Sequence, residues 1–207
     1  MFKFETMKGF YLVFMLSIMA TTCGNRSSNS SSTQRESLSL EVISIGKQEW
    51  TAKNLSVSTF RNGDSIPQVF SDQEWERADL NQQPAWCFYD NNPENEQKYG
   101  KLYNWYAVND PRGLAPQGWH VSSNSEWNLM IKCLDNSADT SCYECIQSTL
   151  MGGKLKDTGT RYWIAPNIGA TNSSLFTALP GGFRNVNSLL FIVLGEYGEF
   201  WTSTSVD

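Results

Sequence analysis

"GWHVSSNSEW", residues Gly118 to Trp127, contains the one histidine of the 207-residue chain, His120, six positions before Glu126. The stretch reads either as an acid–base centre or as a strand running into a helix, and its spacing favours the second. Ser123 and Glu126 stand at capping-box separation, the serine as N-cap and the glutamate as N3. Trp127, Met130, Ile131 and Leu134 follow at i, i+3, i+4 and i+7, one apolar helical face. "WHV" before the cap is then a short strand, with Trp119 and Val121 on one face and His120 on the other. A catalytic histidine needs an orienting acid and a nucleophile within hydrogen-bond reach. No spacing in the chain singles His120 out for that work, so no catalytic residue is assigned.

On the N-terminal side, "LSLEVISIGKQEWTAKNL", 38–55, alternates and turns at Gly46-Lys47, which predicts a β-hairpin. "FRNGDSIP", 60–67, carries an Asn-Gly turn. "SDQEWERADL", 71–80, offers a Ser or Asp cap and a short helix from about Asp72 to Ala78. "AWCFYD", 85–90, reads as a short aromatic strand, and "YGKLYNWYAV", 99–108, suits strand and helix equally. In the C-terminal third, glycine and asparagine clusters separate three strand candidates: "SLFTALP", "LLFIVL" and "EFWTSTS". The pattern predicts a loop-rich α+β domain with short, mainly antiparallel strands and two or three helices.

Composition agrees with one folded domain. Aromatic residues make up 13% of the chain and charged residues only 18%, which excludes a disordered chain. The net charge of −5, with no basic run longer than two residues, excludes a nucleic-acid partner.

The first residues read as a leader. In "MKGFYLVFMLSIMATTC", 7–23, Lys8 precedes an apolar run from Phe10 to Ala20, which is too short to span a bilayer. This resembles a bacterial lipoprotein signal, which implies removal of residues 1–22 and lipidation of Cys23. Residues 23–37 are then a serine-rich tether, and 38–207 the folded domain. Removal takes away Lys3, Lys8 and Glu5, which makes the mature chain one unit more negative. The membrane partner is therefore reached through acyl chains, not through charge.

Four cysteines remain: Cys87, Cys133, Cys142 and Cys145. "CYEC" lacks the βαβ setting of a redox motif and a second pair for zinc. In an exported protein the expectation is disulfide bonding, with the pairing open.

From about Val42 the chain resembles the Fibrobacter succinogenes major paralogous domain of exported proteins and lipoproteins. The matching pieces, in the family's order, are "GKQEWTAKNL", "AWCFYDNNPEN", "YGKLYNWYAVNDPRGLAPQGWHV", "EWNLM", "GGKLKDTGTRYW", "PNIGATNSSLFTALPGGFRN" and "GEFWTSTS". The resemblance implies a C-type-lectin-like fold, distantly similar to formylglycine-generating enzymes. There a strand enters a helix through an "RLPTEAEW" pattern, which "WHVSSNSEW" resembles. The chain departs from the family in the length of "CLDNSADTSCYECIQSTLM", 133–151, and in stopping where relatives continue; the last strands are expected to be missing.

The resulting expectation is a non-catalytic lipoprotein of the outer membrane, facing the periplasm or the cell surface, that binds a glycan or a protein. The alternatives are an enzyme of the formylglycine group and a structural envelope protein without a small ligand. No cofactor is expected. Asn167 and Asn172 carry amide oxygens of the kind Ca²⁺ accepts, although turns account for both. Trp75 and Trp163 are the candidates for stacking on a sugar, with burial in the core as the competing reading.

Overall fold

Gly46 and Lys47 turn the chain between two strands, as the alternation predicts. In the computed structural model, which describes residues 10–11, 16–18, 40–141, 147–185 and 187–205, those strands are Val42–Ile45 (β3) and Gln48–Thr51 (β4). Gly46 has φ +63°, and a Cβ there would lie 2.9 Å from Cys133 Sγ. The left-handed backbone therefore favours glycine, and any side chain there would also displace the Cys133 thiol.

Two earlier strands pair with the folded part. Phe10–Tyr11 (β1) lies antiparallel to Phe183–Asn185 (β8), and Leu16–Ile18 (β2) lies between β4 and His120–Val121 (β7). Ser17 is opposite Trp50 on one side and His120 on the other, so the four-stranded sheet runs β3-β4-β2-β7. The leader expected over residues 1–22 thus contributes backbone to the sheet. Cys23 and the tether, 23–37, lie outside the described residues.

Trp86–Cys87 (β5) pairs with Leu102–Tyr103 (β6) in a two-stranded sheet, and β8 pairs with Phe191–Ile192 (β9) in a third sheet. The helices are Asp72–Leu80 (α1), Glu96–Tyr99 (α2), Trp105–Val108 (α3), Asn124–Leu134 (α4) and Met151–Leu155 (α5). "YGKLYNWYAV" is both elements in turn. Strand β6 stops at Asn104, whose side chain accepts from Ala107 N–H and caps α3. Short helices and short antiparallel strand pairs joined by long loops make a loop-rich α+β domain.

Of the three C-terminal strand candidates, two form no strand and one is shortened. "SLFTALP" alternates, but Leu175 and Thr177 have φ +62° and +56°, which no continuous strand tolerates. In "LLFIVL" the positive φ of Leu189 and Val193 trims the strand to β9. "EFWTSTS" forms no strand. It packs inward, with Trp201 Nε1 donating to Tyr103 O at 3.0 Å and Ser203 N–H to Ser122 O at 2.9 Å. Strand β8, in "GGFRN", was not foreseen.

The main core is aromatic. Trp127 of α4 packs on Trp50 of β4 with ring centroids 5.0 Å apart, and Phe176 and Phe200 close the cluster at 5.8 and 5.6 Å from Trp127. Gly153 brings the "PNIGATNSS" loop against α5: a Cβ there would lie 2.2 Å from Gly169 O. That contact explains Gly153 inside a helix despite its helical cost.

Candidate functional site

The 118–127 junction forms as its spacing predicts. Ser123 Oγ accepts from Glu126 N–H at 3.3 Å, and Glu126 Oε2 accepts from Ser123 N–H at 2.7 Å. The hydroxyl of Ser123 also donates to Oε2, at 2.9 Å. The other carboxylate oxygen, Oε1, lies 2.7 Å from His120 Nε2. Burial raises the carboxyl's pKa, but the hydrogen bonds from Ser123 and His120 outweigh it, and the group sits below its ordinary range. In a nucleophilic triad the histidine stands between acid and hydroxyl. Here the carboxylate stands between histidine and hydroxyl, so His120 is not placed to activate Ser123.

Of the two candidate ligands for a cation, Asn172 has its amide oxygen occupied, whereas Asn167 Oδ1 is buried without a hydrogen-bond partner among the described residues. Asn172 locks a turn: its Oδ1 accepts from Thr177 N–H at 2.8 Å and its Nδ2 donates to Thr177 Oγ1 at 3.0 Å. Asn167 Nδ2 donates to Asp157 O and Gly159 O, at 2.9 and 2.8 Å. Among the described residues no group of three or more His, Cys, Asp or Glu side chains is placed to hold a metal.

Trp75 is a core residue of α1, with the Arg184 guanidinium 4.9 Å above its ring. Trp163 is also buried, but it lines a pocket of about 310 Å³ together with Lys156, Ile164, Pro166, Asn167, Gly195, Glu196 and Tyr197. Two sequence candidates, Trp163 and Asn167, therefore meet in one place. Lys156, Glu196 and Tyr197 were missed; one lysine among many carries no spacing signal.

The walls are tied by backbone bonds. Ala178 O accepts from Asp157 N–H and from Trp163 Nε1, both at 3.0 Å, which fixes Trp163 beside Lys156. Ile164 N–H donates to Gly195 O at 2.8 Å and joins the two loops that form the mouth. Lys156 Nζ sits 4.8 Å from the Trp163 ring centroid. Burial pushes the Lys156 pKa below the usual lysine range. Glu196 is exposed at the rim. An ammonium beside an aromatic ring in an open, mainly polar cleft suits binding of a small polar ligand.

Cys87 is buried in the core, where desolvation pushes its thiol up to about 12 against the pull of Arg184. Cys87 and the exposed Cys133 are free thiols, while Cys142 and Cys145 lie outside the described residues.

A family model described as the Fibrobacter succinogenes major domain matches residues 43–207. No curated protein and no solved structure matches the chain.

Proposed function

The chain belongs to the Fibrobacter succinogenes major domain family, and from that membership we propose a non-catalytic, lipid-anchored cell-envelope domain that binds a glycan or protein ligand. The domain is carried on the outer membrane by acyl chains at Cys23 and extended from it by the serine-rich tether. Support for the anchor is the apolar run ending at Cys23. Support for the absence of catalysis is the order of groups at the junction, where Glu126 separates His120 from Ser123.

The observation that carries the binding role is the Lys156–Trp163–Tyr197 pocket, whose lysine residue is 8% exposed and forms no ion pair among the described residues. Processing before Cys23 removes β1 and β2, so the anchored form holds β4 and β7 without the strand between them. Membrane fractionation tests the anchor: the wild type partitions with membranes and Cys23→Ser does not. A Cys23→Ser protein that stays with the membrane contradicts it. A glycan and protein-ligand screen, with and without a calcium chelator, tests the binding role, and the absence of any ligand contradicts that role.

A further inference from the structure

Three cationic residues of the folded part have mostly buried side chains, and each lies over an aromatic ring. Lys101 Nζ is 4.3 Å from the Trp86 centroid, and the Arg184 guanidinium sits between Trp75 and Phe191, at 4.9 and 4.8 Å. Lys156 Nζ lies over Trp163. Burying a charge is costly unless its hydrogen bonds are made.

Lys101 makes them. It donates to Ser56 O at 2.9 Å and Ser58 Oγ at 2.8 Å, and pairs with Glu96 at 3.2 Å. Arg184 pairs with Asp72 and donates to Leu189 O and Cys87 Sγ. Lys156 is the exception: its ammonium has no hydrogen bond and no ion pair among the described residues. Its stem is buried against Trp163 while its ammonium opens into the pocket, where water or a ligand can meet it. The fold thus supplies two of the cations with anions or carbonyls and leaves the third, which lines the pocket, unsupplied.

We propose that this pocket is a carboxylate-recognition site whose ligand is an acidic sugar unit, with the carboxylate on Lys156 Nζ and the sugar ring against Tyr197 and Ile164. The proposal rests on the binding role given above and assigns its ligand class. At about 310 Å³ the pocket is at the small end of ligand sites, the scale of one or two sugar rings and not of a folded partner.

One carboxylate fits better than a phosphate. The lining offers a single point charge and no arginine fork to grip a phosphate in two places. Glu196 at the rim repels a second negative charge and accepts from ligand hydroxyls. The chain's net charge of −5 disfavours polyanions further. Trp163, held by Ala178 O, orients the lysine, and half-buried Tyr197 and exposed Ile164 offer apolar surface at the mouth.

The test uses the 207-residue protein, with glucuronate and galacturonate as probes and glucose and galactose as their neutral counterparts. Calorimetric titration should show the acidic sugars bound about tenfold or more tightly than the neutral ones, equivalent to about 1.4 kcal/mol. Lys156→Gln should abolish that preference. The thermal shift of the wild type alone guards against a misfolded variant: glucuronate raises its Tm and glucose does not. Equal affinity for acidic and neutral sugars, or an acid preference that survives in Lys156→Gln, overturns the carboxylate assignment and leaves the binding role standing. Binding of neither sugar class, while a protein ligand is captured, also overturns it. Absence of every ligand removes the binding role itself.

Discussion

His120 Nε2 lies 2.7 Å from Glu126 Oε1, while Glu126 Oε2 closes the cap of α4 on Ser123. One carboxylate thus fixes the end of strand β7 to the first turn of the helix that carries Trp127 into the core. Gln48 Nε2 adds a bond to Glu126 O at 3.1 Å, so β4 is tied to the same turn. The lone histidine of the chain is a brace at this junction.

Acid should therefore loosen the junction. The Glu126 pKa is depressed in the folded state, so its contribution is present above the unfolded value of about 4.3 and is lost as pH falls through the folded value. Melts of the wild type should fall below about pH 4 more steeply than those of Glu126→Gln. Parallel pH profiles of the two proteins would contradict this. Ser123→Ala, which removes the cap, should cost about 1 kcal/mol at neutral pH.

The buried lysines should respond oppositely to neutralisation. Lys101→Gln breaks a satisfied cluster and leaves Glu96 without its cation, at a cost of about 3 kcal/mol. Lys156→Gln removes a charge that the fold does not pair, and its melt should equal or exceed that of the wild type. The depressed Lys156 pKa sets the sign with pH. The cost of the charge is full below the folded value and is relieved as pH rises towards the ordinary lysine range. The advantage of Lys156→Gln should shrink along that rise, and a large loss of stability in this variant at neutral pH would show that Lys156 has a structural partner.

Much of this was legible in residues whose signals are local. Ser123, Glu126 and the Trp127 face announce α4 by spacing, and Gly46-Lys47 announces the hairpin. The C-terminal third was misread because left-handed residues such as Leu175 and Thr177 carry no glycine or asparagine signature. The pocket was half legible. Trp163 and Asn167 stood out by type, whereas Lys156 matters only through what surrounds it, and burial without a partner is a long-range property.

Removing residues 1–22 should expose a ladder. Ser17 faces both Trp50 and His120, so a chain beginning at Cys23 lacks the strand between β4 and β7. Hydrogen exchange in Gln48–Thr51 and His120–Val121 should be faster in that chain than in the 207-residue protein. Equal protection would mean that β2 contributes nothing to the sheet.

Cys133 is a free, exposed thiol in this structure, so the bridge proposed from it to Cys142 or Cys145 forms on oxidation in the cell envelope. Such a bridge closes a loop of roughly a dozen residues and adds up to about 3 kcal/mol. Cys87, buried beside Arg184, should stay a thiol. Non-reducing peptide mapping of protein from the cell envelope checks both statements, and four free thiols would refute the bridge.

The central claim is that this domain binds through the Lys156 pocket and not through the His120 junction. Chemical-shift mapping of the 15N-labelled protein during titration with glucuronate and galacturonate tests it most directly. Shifts should centre on the Trp163 indole N–H and the backbone of residues 156 and 195–197. Shifts centred on His120, Ser123 and Glu126, with the pocket unmoved, would contradict it.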